Sequence, residues 1–435
     1  SQTKEELTTR KENFGSTCDL PDTFIKKVLD KLDINSHVAT IVESKGLKEI
    51  QKSEATKKNL KIPKLDDANK AGTKESHKCT LILTEGDSAK TFAVSGLSVV
   101  GRDYYGVFPL RGKFLNVRDA PKSALLNNKE FIELKQIIGL QTGKEYKSIE
   151  GSGLRYGSIM ICTDADVDGS HIKGLIFNML EYYWPSLFHK KGFIKSMSTP
   201  VVKASKKGEI IEFYSLVTYE QWKEANSMAG WNIKYYKGLG TSSAAEAKEY
   251  FRELAKNTIT YDYNGEKSTA AMNLAFSKDS GAADKRKLWL KKYDRDSIND
   301  TEKRNLTFNE FVDNELIHFS NYDLIRSIPS VMDGLKPSQR KILYCAFLRN
   351  LVKEIKVAQF SGYVSEKSSY HHGEASLQGA IIGMAQDFVG SNNLNLLQPN
   401  GQFGTRLQGG KDASSPRYIF TQLAPYTYSL FPKDD

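Results

Sequence analysis

The sequence predicts an α/β chain, in which a Rossmann-like parallel-sheet domain is followed by a smaller α+β domain of winged-helix type. Three observations predict this. "KCTLILTEGDSAKTFAVSGLS" reads as a short buried strand (Cys79–Thr84), an acidic turn (Glu85–Ser88) and the onset of an apolar helix. "GSIMICTDADVDGSHIKGLIFNMLEYYWPSLF" repeats that order about 80 residues later. Two strand–acid–helix units imply parallel strands whose acidic turns share the carboxyl edge, where open sheets place their sites. Past residue 306 the texture changes to helices, basic loops and one strand.

In chain order, "LPDTFIKKVLDKL" (Leu20–Leu32) has Phe24, Ile25, Val28, Leu29 and Leu32 at helical spacing, with Asp22 as the candidate cap. Residues 41–78 hold ten lysines against six acids and read as a lysine-rich helix and a solvated connector. The first domain spans 76–275. It takes a third strand candidate from "GFIKSMSTPVVKAS" (Gly192–Ser205) and a glycine turn into a helix from "IKYYKGLGTSSAAEAKEYF" (Ile233–Phe251). Residues 276–306 are charged, a helical linker. The second domain covers 307–435. Its first helix starts at Pro337, where the missing amide hydrogen costs nothing, and its second spans "SLQGAIIGMAQDFV" (Ser376–Val389). "PRYIFTQL" (Pro416–Leu423) reads as a strand.

Composition narrows the function classes. The chain has 435 residues, too many for one ordinary core. No apolar run reaches the length of a membrane span. Four cysteines (Cys18, Cys79, Cys162, Cys345) lie far apart without CxxC, against a disulfide scaffold or structural zinc. A net charge of +10, from 62 Lys+Arg against 52 Asp+Glu, suits a polyanionic partner but is equally a recipe for solubility.

The chemistry concentrates in "TDADVDGSH" (Thr163–His171). Asp164, Asp166 and Asp168 stand at i, i+2 and i+4, and carboxylates this close repel unless a cation compensates. Mg²⁺ suits such oxygen ligands, taking one or two carboxylates plus phosphate oxygens. Glu85 in the other turn is a further carboxylate. An EF-hand would need a glutamate at position 12 from Asp164, where Leu175 stands. A helix cap accounts for one aspartate, not three.

"LTEGDSAKT" (Leu83–Thr91) and "DADVDGSH" resemble the Toprim domain of topoisomerases. "PLRGKFLNVRDA" (Pro109–Ala120), "YYKGLGTS" (Tyr235–Ser242), "SIPSVMDGLKPSQRKILY" (Ser327–Tyr344), "SSYHHGE" (Ser368–Glu374), "LLQPNGQFGTR" (Leu396–Arg406) and "SPRYIF" (Ser415–Phe420) are similar to the type IIA topoisomerases, in that family's order. The wording is nearer the eukaryotic enzymes than gyrase, although Ala165 and Val167 read like the bacterial form.

The resemblance implies a DNA cleavage and religation core. In it Tyr418 would attack a phosphodiester to give a 5′-phosphotyrosyl link, aided by Arg417 and His372. Glu85, Asp164 and Asp166 would hold two Mg²⁺ ions per site, replaceable by Mn²⁺ or Ca²⁺, with Asp168 either behind these ligands or the weaker ligand. Arg111, Lys113, Lys336, Arg340, Lys341, Gln402 and Arg406 would contact double-stranded DNA. It further implies a homodimer with sites formed in trans, a nuclear location and no membrane. It also implies a fragment without the tower and exit gate and without the ATP-binding domain, so that ATP serves only the full-length enzyme. From local sequence alone, Tyr418 is a strand residue that packs.

Overall fold

The computed structural model describes residues 60–432 apart from 119, 301–302 and 371, together with Pro21 and residues 23–24. The Leu20–Leu32 helix with its Asp22 cap, Cys18, His371 and most of the lysine-rich segment lie outside the described residues.

Among the described residues six strands form the main sheet, in the order Tyr105–Leu110, Thr80–Glu85, Ser158–Cys162, Ile194–Met197, Thr258–Asp262 and Asn305–Thr307. At its centre β1 (Thr80–Glu85) pairs in parallel with β2 (Tyr105–Leu110) and with β3 (Ser158–Cys162). Both predicted units are there, side by side. β1 and β3 are buried along their length because helices cover both faces, as parallel sheets require. On one face α1 (Gly86–Val100) and α3 (Ala244–Arg252) pack Phe92, Ala93, Tyr250 and Phe251 against Ile82 and Met160. On the other, α2 (Val167–Tyr183) sets Ile172, Ile176 and Phe177 against Leu81, Leu83, Ile159 and Ile161.

The predicted Gly192–Ser205 strand is two. β4 (Ile194–Met197) joins the main sheet and β5 (Val202–Lys206) a separate antiparallel one with β6 (Glu209–Phe213) and β7 (Asn232–Tyr235). The break falls at Pro200, which has no amide hydrogen for a ladder. β8 (Thr258–Asp262) runs antiparallel to β4, and β9 (Asn305–Thr307) closes the edge parallel to β8. Residues 276–306 thus contain a helix (Ala282–Leu290) and deliver an edge strand. Phe308, Phe311, Val312, Leu316 and Phe319 then bury in the first core.

A second core gathers α5 (Pro337–Leu348), α6 (Val357–Lys367) and α7 (Glu374–Ala385) around Ile342, Phe360, Val364, Leu377, Ile381, Phe403 and Ile419. Helix α6 adds to the two predicted from sequence. Only Phe420–Thr421 of the predicted last strand is extended ladder, as β11, paired antiparallel to β10 (Ile355–Lys356). Tyr418 sits in the turn ahead of it, its N–H donating to the Ser415 carbonyl at 2.9 Å. Between the cores runs α4 (Ile317–Ser327).

Candidate active site

The pairing of β1 with β3 matches Thr84 to Cys162, so Glu85 and Asp164 leave the sheet together at its carboxyl edge. The Asp164 N–H donates to Glu85 Oε2 at 3.3 Å. Burial pushes the Glu85 carboxyl up to about 7, reinforced by the Asp164 and Asp166 charges. Asp164 also lies above the usual carboxylate value, through burial, with an N–H from Leu239 at 2.7 Å pulling the other way and the Asp166 charge adding to the rise. That amide comes from the "KGLG" turn, which closes over the aspartate. A Cβ on Gly238 would stand 2.4 Å from Asp164 Oδ2, and one on Gly169 2.2 Å from the Asp164 carbonyl. Both glycines serve close approach, where for Gly238 the sequence suggested only a turn.

Asp166 caps α2, accepting the Gly169 N–H at 2.8 Å. Asp168 is held by the protein's own cations. Arg326 grips both its oxygens at 2.7 and 2.8 Å, and Lys113 reaches it at 2.8 Å. Burial pushes this carboxyl up, and the hydrogen bonds from Arg326 and Lys113 outweigh it, holding Asp168 well below the usual range. His372 brings the second core to the same place. Its Nδ1 lies 3.8 Å from Asp168 Oδ2 and its Nε2 3.2 Å from the Tyr322 hydroxyl. His171 stacks on Phe319 at 3.8 Å, and burial lowers its imidazole to about 4.

Among the described residues no three His, Cys, Asp or Glu side chains close into a ligand cage. The donor set is an open pair of hard oxygens bearing like charge, with a third carboxylate beside it. It suits Mg²⁺, which keeps several waters and completes its shell with substrate phosphate. A carboxyl lifted to about 7 marks charge for which the chain supplies no compensation.

Tyr418 is 72% exposed, with the Arg417 guanidinium 5.7 Å from its ring centroid and the buried Ile419 anchoring the turn. Among the described residues no hydrogen bond or ion pair joins Tyr418 or Arg417 to the four acids. Of the predicted phosphate contacts, Lys113 is spent on Asp168, Arg111 pairs with Glu133 at 3.1 Å and Arg340 with Asp333 at 2.6 Å. Lys336 stands just before α5, and Lys341 lines an open groove of about 530 Å³ with Pro337, Arg340, Tyr344 and Ser368. The Gln402 carbonyl accepts the Ser414 N–H at 2.9 Å, tying its loop to that of Tyr418, and Arg406 is exposed at a short turn. Arg326, Tyr322 and Leu239 were not foreseen. Arg326 reads as an ordinary basic residue in a helix's last turn, and no local signal sends it to Asp168.

Comparisons with known proteins agree with this architecture. Residues 80–198 match the Toprim domain, 197–324 the C-terminal associated domain of TOPRIM, and 326–435 the DNA gyrase/topoisomerase IV family. The whole chain is 53% identical to DNA topoisomerase 2 of Arabidopsis thaliana, and 52% to DNA topoisomerase 2-alpha of Gallus gallus. It spans 30% and 29% of those proteins' lengths. A crystal structure of the Plasmodium falciparum topoisomerase II DNA-binding, cleavage and re-ligation domain superposes with a TM-score of 0.73 at 53% identity, over 87% of this chain and 51% of that one.

Proposed function

The chain belongs to the type IIA DNA topoisomerases, and from that premise we propose that it cuts and rejoins duplex DNA through a tyrosyl ester at Tyr418. The observation that carries the proposal is the meeting of Glu85 and Asp164 across the β1–β3 edge, with a carboxyl raised to about 7.

The Tyr418 Oη bonds to phosphorus as its proton departs. The bond from phosphorus to the 3′-oxygen breaks, and that oxygen takes up a proton. The phosphate stays on the tyrosine through its 5′ side, and reversal restores the strand without an outside energy source. An ordinary phenol, with a pKa of about 10, is a weak nucleophile at neutral pH. Arg417, beside the ring, stabilises negative charge on the phenol oxygen and on the phosphoryl oxygens. Glu85 and Asp164 would hold Mg²⁺, with Asp166 sharing a second ion, and such a metal would supply positive charge to offset the negative charge that develops on the departing 3′-oxygen. Asp168 fixes Arg326 and Lys113 and faces His372, so it organises the cationic wall of the site. Arg111, Lys336, Arg340, Lys341, Gln402 and Arg406 position the backbone without reading sequence. Among the described residues no hydrogen bond or ion pair ties Tyr418 to the four acids, which favours a homodimer with each tyrosine serving its partner's acids. The eukaryotic relatives favour a nuclear setting.

A nicked duplex carrying an end label, incubated with Mg²⁺ or Mn²⁺ and trapped with denaturant, tests the proposal. Wild type is expected to give labelled covalent protein, and Tyr418→Phe none. A wild type that binds the duplex but yields no adduct at high protein concentration would leave a DNA-binding module without chemistry.

A further inference from the structure

The chain from Phe308 to Ser327 is one helical run, interrupted by a π-turn at Val312–Leu316. It lies antiparallel along α2. Phe311 meets Phe177 at 4.9 Å, Glu315 meets Lys173 and Ser170, Phe319 stacks on His171 at 3.8 Å, and Arg326 grips Asp168. A π-turn inserts one extra residue into a helix and rotates everything beyond it. Here it sits in the middle of that row of contacts and contains Glu315.

Glu315 pairs with the buried Lys173 ammonium and accepts the Ser170 hydroxyl at 2.7 Å. Burial works against the lysine's charge, and the Glu315 carboxylate overcomes it, keeping Lys173 above its ordinary value. Ser170 in turn donates its N–H to the Asp166 carbonyl at 3.2 Å, within the turn that carries the acids. An apolar pair of similar volume would hold two helices together as well as a buried ion pair does. What Glu315 adds is direction, because its carboxyl oxygen fixes the Ser170 hydroxyl and with it the first turn of α2.

We propose that Glu315, set in register by the π-turn, is a positioning residue for the divalent-ion site. Through Ser170 it holds Asp164 and Asp166 at the height of Glu85. The proposal rests on the reading that these carboxylates bind divalent ions, and its test separates the two.

Mn²⁺ binding is measured by electron paramagnetic resonance without DNA, alongside thermal melting, for wild type, Ser170→Ala and Glu315→Gln. Ser170→Ala removes the tether and leaves the ion pair. It is expected to melt close to wild type and to bind Mn²⁺ about tenfold more weakly, the low end of what residues behind a metal's ligands control. Glu315→Gln keeps an oxygen for Ser170 but strips Lys173 of its partner. It is expected to melt lower while holding Mn²⁺ within about twofold of wild type, since the tether survives. A purely structural role predicts the reverse ranking. Should Glu315→Gln fail to fold, the apolar pair Glu315→Leu with Lys173→Met is expected to fold and to share the Ser170→Ala deficit. The proposal is overturned if Ser170→Ala binds Mn²⁺ like wild type, or if Mn²⁺ affinity follows melting temperature across the set. Loss of the covalent adduct in wild type would sink the cleavage reading, whereas an intact adduct with unchanged Mn²⁺ binding in Ser170→Ala would sink only this one.

Discussion

Replacing Glu85 by Gln is expected to stabilise the metal-free protein at pH 8. The Glu85 carboxyl rises from an ordinary 4.5 to about 7 on folding. At 1.36 kcal/mol per pH unit, an ionised Glu85 costs ~3 kcal/mol in the fold, nearer ~2 where water still reaches the carboxylate. The sign follows from linkage. Between pH 4.5 and 7 the folded state keeps the proton that the unfolded state has released, so stability falls as pH rises through that window. Gln is nearly isosteric, accepts the Asp164 N–H and carries no charge. The first core comprises roughly 250 residues, for which a kcal/mol moves the melting point by about 2 °C, so the variant is expected to melt about 4–6 °C above wild type at pH 8. The difference is expected to shrink as pH falls and to vanish below about pH 4.5. Calorimetry across that range in a chelator measures it, and Mn²⁺ is expected to raise the wild-type melting point while leaving the Gln variant unmoved. Parallel pH profiles for the two proteins would refute the claim that Glu85 carries uncompensated charge.

Gly238→Ala puts a methyl group against Asp164 Oδ2 and is expected to cost roughly 2 kcal/mol by denaturant melting, with weakened Mn²⁺ binding. Arg326→Lys cannot grip both oxygens of Asp168, so it is expected to recover little of the roughly 2–3 kcal/mol lost in Arg326→Ala, as chemical denaturation will show. Arg340→Ala is expected to weaken DNA binding uniformly across sequences and to lower the slope of log K against log salt by about one, read by fluorescence anisotropy at several salt concentrations.

The sheet and the meeting of Glu85 with the aspartates were legible because they follow from local pattern. A continuous apolar run ending in an acidic turn specifies a buried parallel strand, and two such strands set their turns at one edge. Asp168 was legible as an acid set behind the ligands or binding weakly, but its partners were not. Its partner Arg326 lies 158 residues on, and only tertiary packing brings the two together. Helix α6 had a signal, since Val357, Phe360 and Val364 recur at helical spacing. The stretch around Tyr418 misled because Tyr, Ile, Phe and Thr favour strands in general, while the Tyr418 N–H is committed to a turn with Ser415. The π-turn has no sequence signature. It arises where Phe308 and Phe311 on one side and Phe319 on the other must all reach the same core.

The four acids divide by what the chain does with their charge. Asp168 has Arg326 and Lys113 at hydrogen-bond distance and a histidine beyond them, so folding neutralises it. Among the described residues Glu85, Asp164 and Asp166 have no ion pair, and for Glu85 and Asp164 burial makes that lack costly. Protein cations at Asp168 and their absence at Glu85 have one consequence: an incoming divalent ion gains most where the chain left the charge unpaired. On the proposed reading, the cationic groups gathered at Asp168 would then face a phosphate that such an ion helps to hold. Moving that compensation, by placing a lysine within reach of Glu85, would stabilise the fold and abolish the site, since the carboxylate would fall toward its ordinary range and lose its demand for a metal. The instability of the metal-free pair would therefore be part of the proposed site's affinity.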